Sequence, residues 1–491
     1  MDYVLKDLEP KKMWRFFEEL TRIPHGSYNE KQLSDWLVNF AKERGLKVKQ
    51  DAAMNVLISK PATPGMENKK TIMIQAHMDM VCVKDEGVEH DFAKDPLPIY
   101  IDGDYVKSRG TSLGGDNGNG VAMMLTILDS DDIPHPNIQC IFTTAEEVGM
   151  TGASQLEPDC FEGEYLLNLD GGDDFTEMFL SCAGSHNDLY RFPKNAAAVA
   201  NADEKVAYEL FVGGINSGHS AFVIVNFGGN AIKQLGEVLS SLEEKFAIEL
   251  ATVKGGSKAN VIAKEAKATV VVPKTEAAAF EAAVKELAAK ICIEYTESDP
   301  EMFIELNPVA MPETVMEKEQ TSKFIAFLDI CQNGVFYFFR PEKDNPKTSS
   351  NMGILEDQGD VIMLTCMFRS NSDFLHDEYI RKLTRISKAF GVDHEVEGKS
   401  LAWEYRPDSD LVRMYSALVE KEYGVKPTHV IAHGGVEPGQ IIERGKLGGK
   451  NIQAVVFGAA SLDVHSTAER VYIPGYQKAL DWMKKILVSL D

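Results

Sequence analysis

Cysteine is scarce in this chain of 491 residues. Cys82, Cys140, Cys160, Cys182, Cys292, Cys331 and Cys366 stand apart, with no short paired spacing. That argues against a disulfide framework or a cysteine-based zinc site, and a reducing cytoplasm fits best. Basic charge is also short: Lys plus Arg number 51 against 75 Asp plus Glu, a net charge of -24. A protein that grips a nucleic-acid backbone or adheres to an anionic membrane needs the opposite balance. No apolar run approaches the roughly 18 residues of a membrane-spanning helix. The charged N-terminal stretch reads directly into a helix pattern and carries no visible signal peptide. What is abundant is ordinary globular material, with 44% hydrophobic residues, 26% charged residues and 38 glycines. The length exceeds one ordinary core and predicts two domains.

The hydrophobic pattern divides the chain. Residues 7–20 and 30–45 carry apolar side chains at helical spacing, with Gly45 as a C-cap. Short apolar runs at 55–58, 71–74, 138–142 and 165–169 read as strands, and 118–128 as a helix rich in small residues. Strands alternating with helices predict an α/β domain with a mainly parallel central sheet. From about residue 186 the texture changes to strand–helix–strand units that look repeated twice, without a repeated motif. The α/β style resumes near Leu401, with a helix at 410–423, a strand at 452–457 and a closing helix at 476–487. The expected organisation is a catalytic domain in two parts, 1–185 and 404–491, around an inserted α+β lid at 186–403.

The chemistry falls at strand ends, where open α/β sheets collect their ligands. His77 and Asp79 follow the strand at 71–75, two residues apart and so on one side of an extended chain. Alone, this pair is equally a local hydrogen bond. Asp116 lies in a stretch with four glycines, Leu113-Gly114-Gly115-Asp116-Asn117-Gly118-Asn119-Gly120, whose backbone freedom would be given up only for a tight turn. A plain helix N-cap is the alternative. A phosphate loop is disfavoured, since GxGxxG is absent and no Lys-Ser/Thr follows. Glu146 and Glu147 close the strand at 138–144, and two adjacent carboxylates need either solvent or a cation. Asp170 and His465 follow two further strands. Acids and imidazoles at several separate strand ends, without thiolates, suit zinc, cobalt or manganese.

The series His77-Met78-Asp79-Met80, Gly114 to Gly120, Thr144 to Ala153 (TAEEVGMTGA) and Asn168 to Asp173 (NLDGGD), in this order, resembles the cocatalytic-metal aminoacylase, carboxypeptidase and dipeptidase superfamily. Within it the chain is most similar to the cytosolic aminoacyl-histidine dipeptidases, also called Xaa-His dipeptidases, carnosinases or peptidase D. The resemblance spans essentially the whole chain. It implies a phosphorylase/hydrolase-like zinc-peptidase catalytic domain and two divalent metal ions, zinc first, with cobalt or manganese as alternatives. His77 and Asp170 then resemble the ligands of one ion, Glu147 and His465 those of the other, and Asp116 the bridging carboxylate before a cis peptide bond. Asp79 resembles the acid that orients His77, and Glu146 the general base. In the lid, His219 of Ser217-Gly218-His219-Ser220 resembles a residue that reaches the active site. Asn260 and Arg369 resemble substrate contacts, Arg369 for the free carboxylate. His433 and Glu437 match a catalytic-domain loop near the substrate terminus, although Val436 and Pro438 depart from its usual Gly-Leu-Glu-Cys-Gly form.

The activity so implied is cytoplasmic hydrolysis of small peptides, preferring Xaa-His and including β-alanyl-histidine. An N-acyl amino acid deacylase or a tripeptidase is the alternative, and a decayed non-enzyme is disfavoured by the intact ligand set. Monomer and homodimer both stay open. The remaining histidines His25, His90, His135, His186, His376, His394 and His429 are read as ordinary hydrogen-bonding groups. Met78 and Met80 are read as packing residues, and Phe336 to Phe339 as a lid core strand.

Overall fold

The computed structural model describes residues 3–172, 174–226, 228–339, 345–458 and 461–490. Asp173, the last residue of the NLDGGD stretch, lies outside them. The chain divides into two compact units: Met1–Ser181, Tyr405–Ile431 and Val436–Asp491 form the first, and Cys182–Glu404 and Ala432–Gly435 the second.

The first unit is built on an eight-stranded sheet. Its order is Lys47–Gln50, Val56–Lys60, Ile138–Thr143, Ile72–His77, Tyr165–Asn168, Gln453–Val456, Glu177–Cys182 and Thr428–Ala432. The four strands from Ile138–Thr143 to Gln453–Val456 run parallel. Every residue of Ile72–His77, Ile138–Thr143 and Tyr165–Asn168 is buried. That explains why these strands read as continuous apolar runs: both faces are covered by helices. The sheet as a whole is mixed. Val56–Lys60 runs antiparallel to both Lys47–Gln50 and Ile138–Thr143, and Glu177–Cys182 is antiparallel to Gln453–Val456. The connection from Gln50 to Val56 is too short for a crossover, so that pair must form a hairpin. Helices Lys11–Thr21, Gly115–Leu128 and Ile473–Ser489 close one core, where the edge of Trp14 meets the rings of Phe17 and Tyr476. All three rings are 0% exposed, and each buried aromatic of this kind contributes about 1.5–3 kcal/mol. A small four-stranded sheet pairs Ile99–Asp102 and Tyr105–Ser108 with the hairpin Ser461–Leu462/Arg470–Tyr472, whose loop carries His465.

The second unit is a nine-stranded sheet whose strand pairs are all antiparallel. Burial alternates residue by residue along Gly184–Pro193 and most of Val361–Ser370, the mark of a sheet with one covered face. The expected twofold repeat has a definite form. One half runs Lys205–Gly213, Ala231–Glu243, Glu249–Gly256, Ala266–Pro273, Ala277–Glu294, Phe303–Val309. The other runs Gly184–Pro193, Lys318–Ile330, Pro346–Asp357, Val361–Ser370, Asp373–Phe390, Asp393–Glu397. Each is strand–helix–strand–strand–helix–strand with its strands in the spatial order fourth, first, third, second. The halves join where Glu249–Gly256 pairs with Pro346–Asp357. The first half is therefore inserted between the opening strand and first helix of the second. The aromatic strand Gly334–Phe338 forms as expected but sits at an edge, pairing among the described residues with Pro346–Asp357, and Tyr337 is half exposed.

Candidate metal centre

Three adjacent parallel strands deliver the first candidate ligands from their carboxyl ends. His77 ends Ile72–His77, Glu146 and Glu147 follow Ile138–Thr143, and Asp170 follows Tyr165–Asn168. His77 is 1% exposed. Its Nδ1 lies 3.0 Å from the carbonyl oxygen of Asp79. With that nitrogen donating, the Nε2 lone pair is directed at Asp116 Oδ1, 3.1 Å away, and Asp170 Oδ1, 3.7 Å away. The other oxygen of Asp116, Oδ2, lies 3.4 Å from His465 Nε2, which in turn is 2.9 Å from Glu147 Oε1. Two donor clusters result, His77–Asp116–Asp170 and Asp116–Glu147–His465, and Asp116 belongs to both through different oxygens. A third grouping, His77–Glu146–Glu147, overlaps the first.

The donors fit divalent cations. Ligands about 2.0–2.1 Å from a tetrahedral ion sit roughly 3.3 Å apart, and the separations above bracket that spacing. Glu147 Oε1 is buried without a hydrogen-bond partner, even though His465 Nε2 is 2.9 Å away. A buried carboxylate oxygen facing an imidazole nitrogen without a hydrogen bond between them is a donor pair that a cation could satisfy. The electrostatics agree. Burial pushes Glu146 up to about 9 and Asp170 up to about 6, with neighbouring carboxylates adding to both. Asp116 and Glu147 push His465 up to about 10. Burial alone would lower His77, but Asp170, Asp116 and Asp79 hold it well above the usual imidazole range. Without cations, such a cluster takes up protons, which metal binding would displace.

Local structure explains how the ligands are held. Gly114 has φ of +68°, and a side chain at Gly120 would stand 3.0 Å from the Cβ atoms of both Ala76 and Leu169. The peptide bond Asp116–Asn117 is cis. Glu469, absent from the sequence reading, clamps this loop. Its carboxylate accepts from the backbone N–H of Leu113 (2.7 Å), Gly114 (3.1 Å) and Asp116 (3.2 Å). No sequence signal marks it, because its role exists only once residues 113 and 469 meet. The Asp79 carboxylate does more than face His77, from which it is 3.5 Å. It accepts from the backbone N–H of Glu146 (3.0 Å) and Glu147 (3.3 Å) and from Ser27 Oγ (2.8 Å). Ala145 and His465 have positive φ, 51° and 61°, a strained state for side-chain-bearing residues that often accompanies functional sites.

Glu437, expected beside the substrate, is 1% exposed, at the start of helix Glu437–Leu447. Its Oε2 accepts from Gln75 Nε2 (2.5 Å) and Thr143 Oγ1 (2.9 Å), on the strands that carry His77 and Glu146. Burial pushes it up to about 8.

The other expected residues lie in the second unit. His433 belongs there, because the neighbouring Ala432 carbonyl accepts from Ala183 N and Asn371 Nδ2, and Ser349 Oγ donates to His433 Nε2 at 2.7 Å. Arg369, on Val361–Ser370, is 6% exposed. Its Nη2 touches Met367 Sδ, its Nε has no partner, and among the described residues no carboxylate pairs with it. Burial lowers its guanidinium to about 10. Burial, followed by the Arg369 charge, lowers His433 to about 3 and also lowers His219. His219 Nδ1 accepts from Ala221 N (3.2 Å), leaving Nε2–H free to donate. Ser220 N donates to the Asn260 carbonyl (2.8 Å), so His219 and Asn260 stand on two bridged segments.

Comparisons with known proteins agree with this chemistry. The model of Peptidase family M20/M25/M40 matches residues 73–489. The chain is 32% identical over 469 residues to the cytosol non-specific dipeptidase of Escherichia coli (strain K12), covering 96% of this chain and 95% of that one. The crystal structure of aminoacylhistidine dipeptidase from Vibrio alginolyticus matches with a TM-score of 0.92 at 32% identity, covering 99% of this chain and 98% of that one. Aminopeptidase PepT from Bacillus cereus ATCC 10987 shares the fold, with a TM-score of 0.55 at 16% identity over 98% of this chain and 99% of that one.

Proposed function

The chain belongs to peptidase family M20/M25/M40, and on that footing we propose that it is a cytoplasmic, metal-dependent dipeptidase that accepts Xaa-His substrates, β-alanyl-histidine among them. The observation that carries this reading is Asp116, whose two oxygens serve two donor clusters. His77, Asp116 and Asp170 would hold one ion and Asp116, Glu147 and His465 the other, with zinc favoured by the nitrogen and oxygen donors and cobalt or manganese as alternatives. Bound there, such ions supply Lewis acidity toward the scissile carbonyl and lower the pKa of the attacking water. Glu146 takes the proton from that water and delivers it to the leaving amine. Neutral His219 donates its Nε2–H to the developing oxyanion, with Asn260 as a further polar contact. Arg369 binds the free carboxylate, and its missing partner supports that role. Neutral His433, whose proton affinity the Arg369 charge lowers, would contact the substrate near its terminus. Glu437 and Asp79 keep the ligand-bearing strands and the Glu146–Glu147 backbone in register.

The test is a panel of carnosine, Gly-His, Ala-Ala, a tripeptide and an N-acetyl amino acid, each with added zinc, cobalt or manganese. Dipeptides should be cleaved, with Xaa-His among the best. Cleavage confined to the tripeptide or the N-acetyl amino acid would overturn the assignment.

A further inference from the structure

Asn260 and His219 stand on loops, yet both must be held to a fraction of an ångström for the roles given above. Their segments bridge one another: Ser220 N donates to Asn260 O (2.8 Å), Ile262 N to Gly218 O (3.0 Å) and Ser217 Oγ to Ile262 O (2.7 Å). The bridge needs an anchor. It has one in Asn351, a fully buried residue of the strand Pro346–Asp357.

The Asn351 amide nitrogen carries two hydrogens. They go to the carbonyl oxygens of Ala259 (2.8 Å) and Val261 (2.9 Å), the residues on either side of Asn260. Its Oδ1 accepts from Asn230 Nδ2 (3.2 Å), which also donates to the Met352 carbonyl (2.9 Å). Asn230 is itself fixed as the cap of helix Ala231–Glu243, accepting from Ile232 N and Lys233 N. Two residues beyond Asn351, a Cβ on Gly353 would stand 2.5 Å from Ala259 Cα, so the loop lies directly on this strand. Only an asparagine of this length offers two donors to both carbonyls and an acceptor behind them. Aspartate would set oxygen against oxygen, serine has one donor, and glutamine is one methylene longer.

We propose that Asn351 is a positioning residue: it clamps the backbone around Asn260 and, through the Ser220–Asn260 bond, fixes His219 for the reaction. This rests on the roles assigned above to His219 and Asn260. Because His219 acts on the developing oxyanion, loosening the clamp lowers kcat and leaves KM little changed.

The experiment measures N351A and N351S in the full-length, metal-loaded enzyme, each also in an H219A/N260A background, with circular dichroism and metal content as controls. N351A should lower kcat on the order of 10²-fold, with N351S intermediate. In the H219A/N260A background either change should cost less than about twofold more, because the groups it positions are gone. An equal loss in both backgrounds refutes the clamp and leaves a general structural role. Wild-type kcat in folded N351A and N351S, alongside a crippled H219A/N260A, refutes the clamp alone. Wild-type kcat in H219A/N260A overturns the underlying roles and this proposal with them. If N351A does not fold, N351S decides between these outcomes.

Discussion

Arg369→Met removes a charge and keeps most of the apolar stem. In the folded chain burial lowers the guanidinium to about 10, a penalty on its charged form of about 3 kcal/mol. The sign follows from proton counts. Below pH 10 the side chain is charged in both folded and unfolded states, so the full cost is present at neutral pH. Above about 10 the folded state gives up its proton more readily than the unfolded state, so stability rises with pH there. The substitution should therefore stabilise the chain at pH 7 by up to about 3 kcal/mol. The same group, placed against a substrate carboxylate, makes two charge-assisted hydrogen bonds worth about 1.5–3 kcal/mol each. Their loss predicts a fall of roughly 10²–10⁴-fold in kcat/KM. The assay compares a dipeptide with its C-terminal amide on both enzymes, beside urea midpoints. R369M should lose the free dipeptide, leave the amide near its wild-type rate, and unfold later. Equal losses on both substrates, or an earlier midpoint, would refute the assignment of Arg369 to the carboxylate.

Glu146→Gln should keep two ions per chain by elemental analysis and lose roughly 10²–10⁴-fold in turnover; Asp116→Ala should lose both ions and His465→Ala only one, and equal metal loss in all three would dissolve the distinction between base, bridge and terminal ligand. Acid should unfold the second unit through two histidines that burial holds at about 3, His376, aided by the His186 charge, and His433, aided by that of Arg369. Each stays neutral when folded but takes a proton below 6.5 when unfolded, so stability is lost as pH falls from 6.5 toward 3, by about 2 kcal/mol per histidine at pH 5. Urea midpoints at pH 5 and 7.5 check this, with His376→Gln reducing the slope; an unchanged slope would show that His376 does not titrate in this way.

The sequence was legible where burial is two-sided or helical. Ile72–His77, Ile138–Thr143 and Tyr165–Asn168 are apolar throughout because both faces are covered, and Lys31–Glu43 shows its stripe through Leu33, Leu37, Phe40 and Ala41. Gly184–Pro193 was missed. Its alternation puts His186, Asp188 and Tyr190 inward, so the buried face reads as polar. There Asp188 sits 3.0 Å from His186 Nε2 and 2.7 Å from His394 Nε2, a burial that only the fold makes tolerable. The edge strands Lys47–Gln50 and Asp393–Glu397 were missed for the related reason that exposed strands carry charge. The candidate ligand set rests on resemblance, since single pairs such as His77 and Asp79 carry little information alone. The residues that hold the ligands, Glu469, Ser27 and Gln75, were not, because a carboxylate that accepts from three backbone N–H groups has no local sequence signature.

The two halves of the centre are supported differently, and Glu469 joins them. His77 and Asp170 come from adjacent parallel strands, whose register is fixed by backbone hydrogen bonds on both sides of Ile72–His77. His465 is 48% exposed by its side chain, in a hairpin loop, with φ in the left-handed region. Such a loop would place a ligand loosely were it tied down only at its ends. Four residues after His465, however, Glu469 accepts from Leu113, Gly114 and Asp116 N–H groups. The bridging carboxylate and the exposed imidazole are thus carried by two segments clamped to one another. The sheet Ile99–Asp102, Tyr105–Ser108, Arg470–Tyr472 and Ser461–Leu462 fixes the base of the hairpin. Asp116 can then face both clusters at once, with its Oδ1 3.1 Å from His77 Nε2 at the rigid strand end and its loop clamped to the hairpin through Glu469. A carboxylate proposed to bridge two ions needs such fixing, and in this chain it comes from residues 113–116 and 469, separated by most of its length.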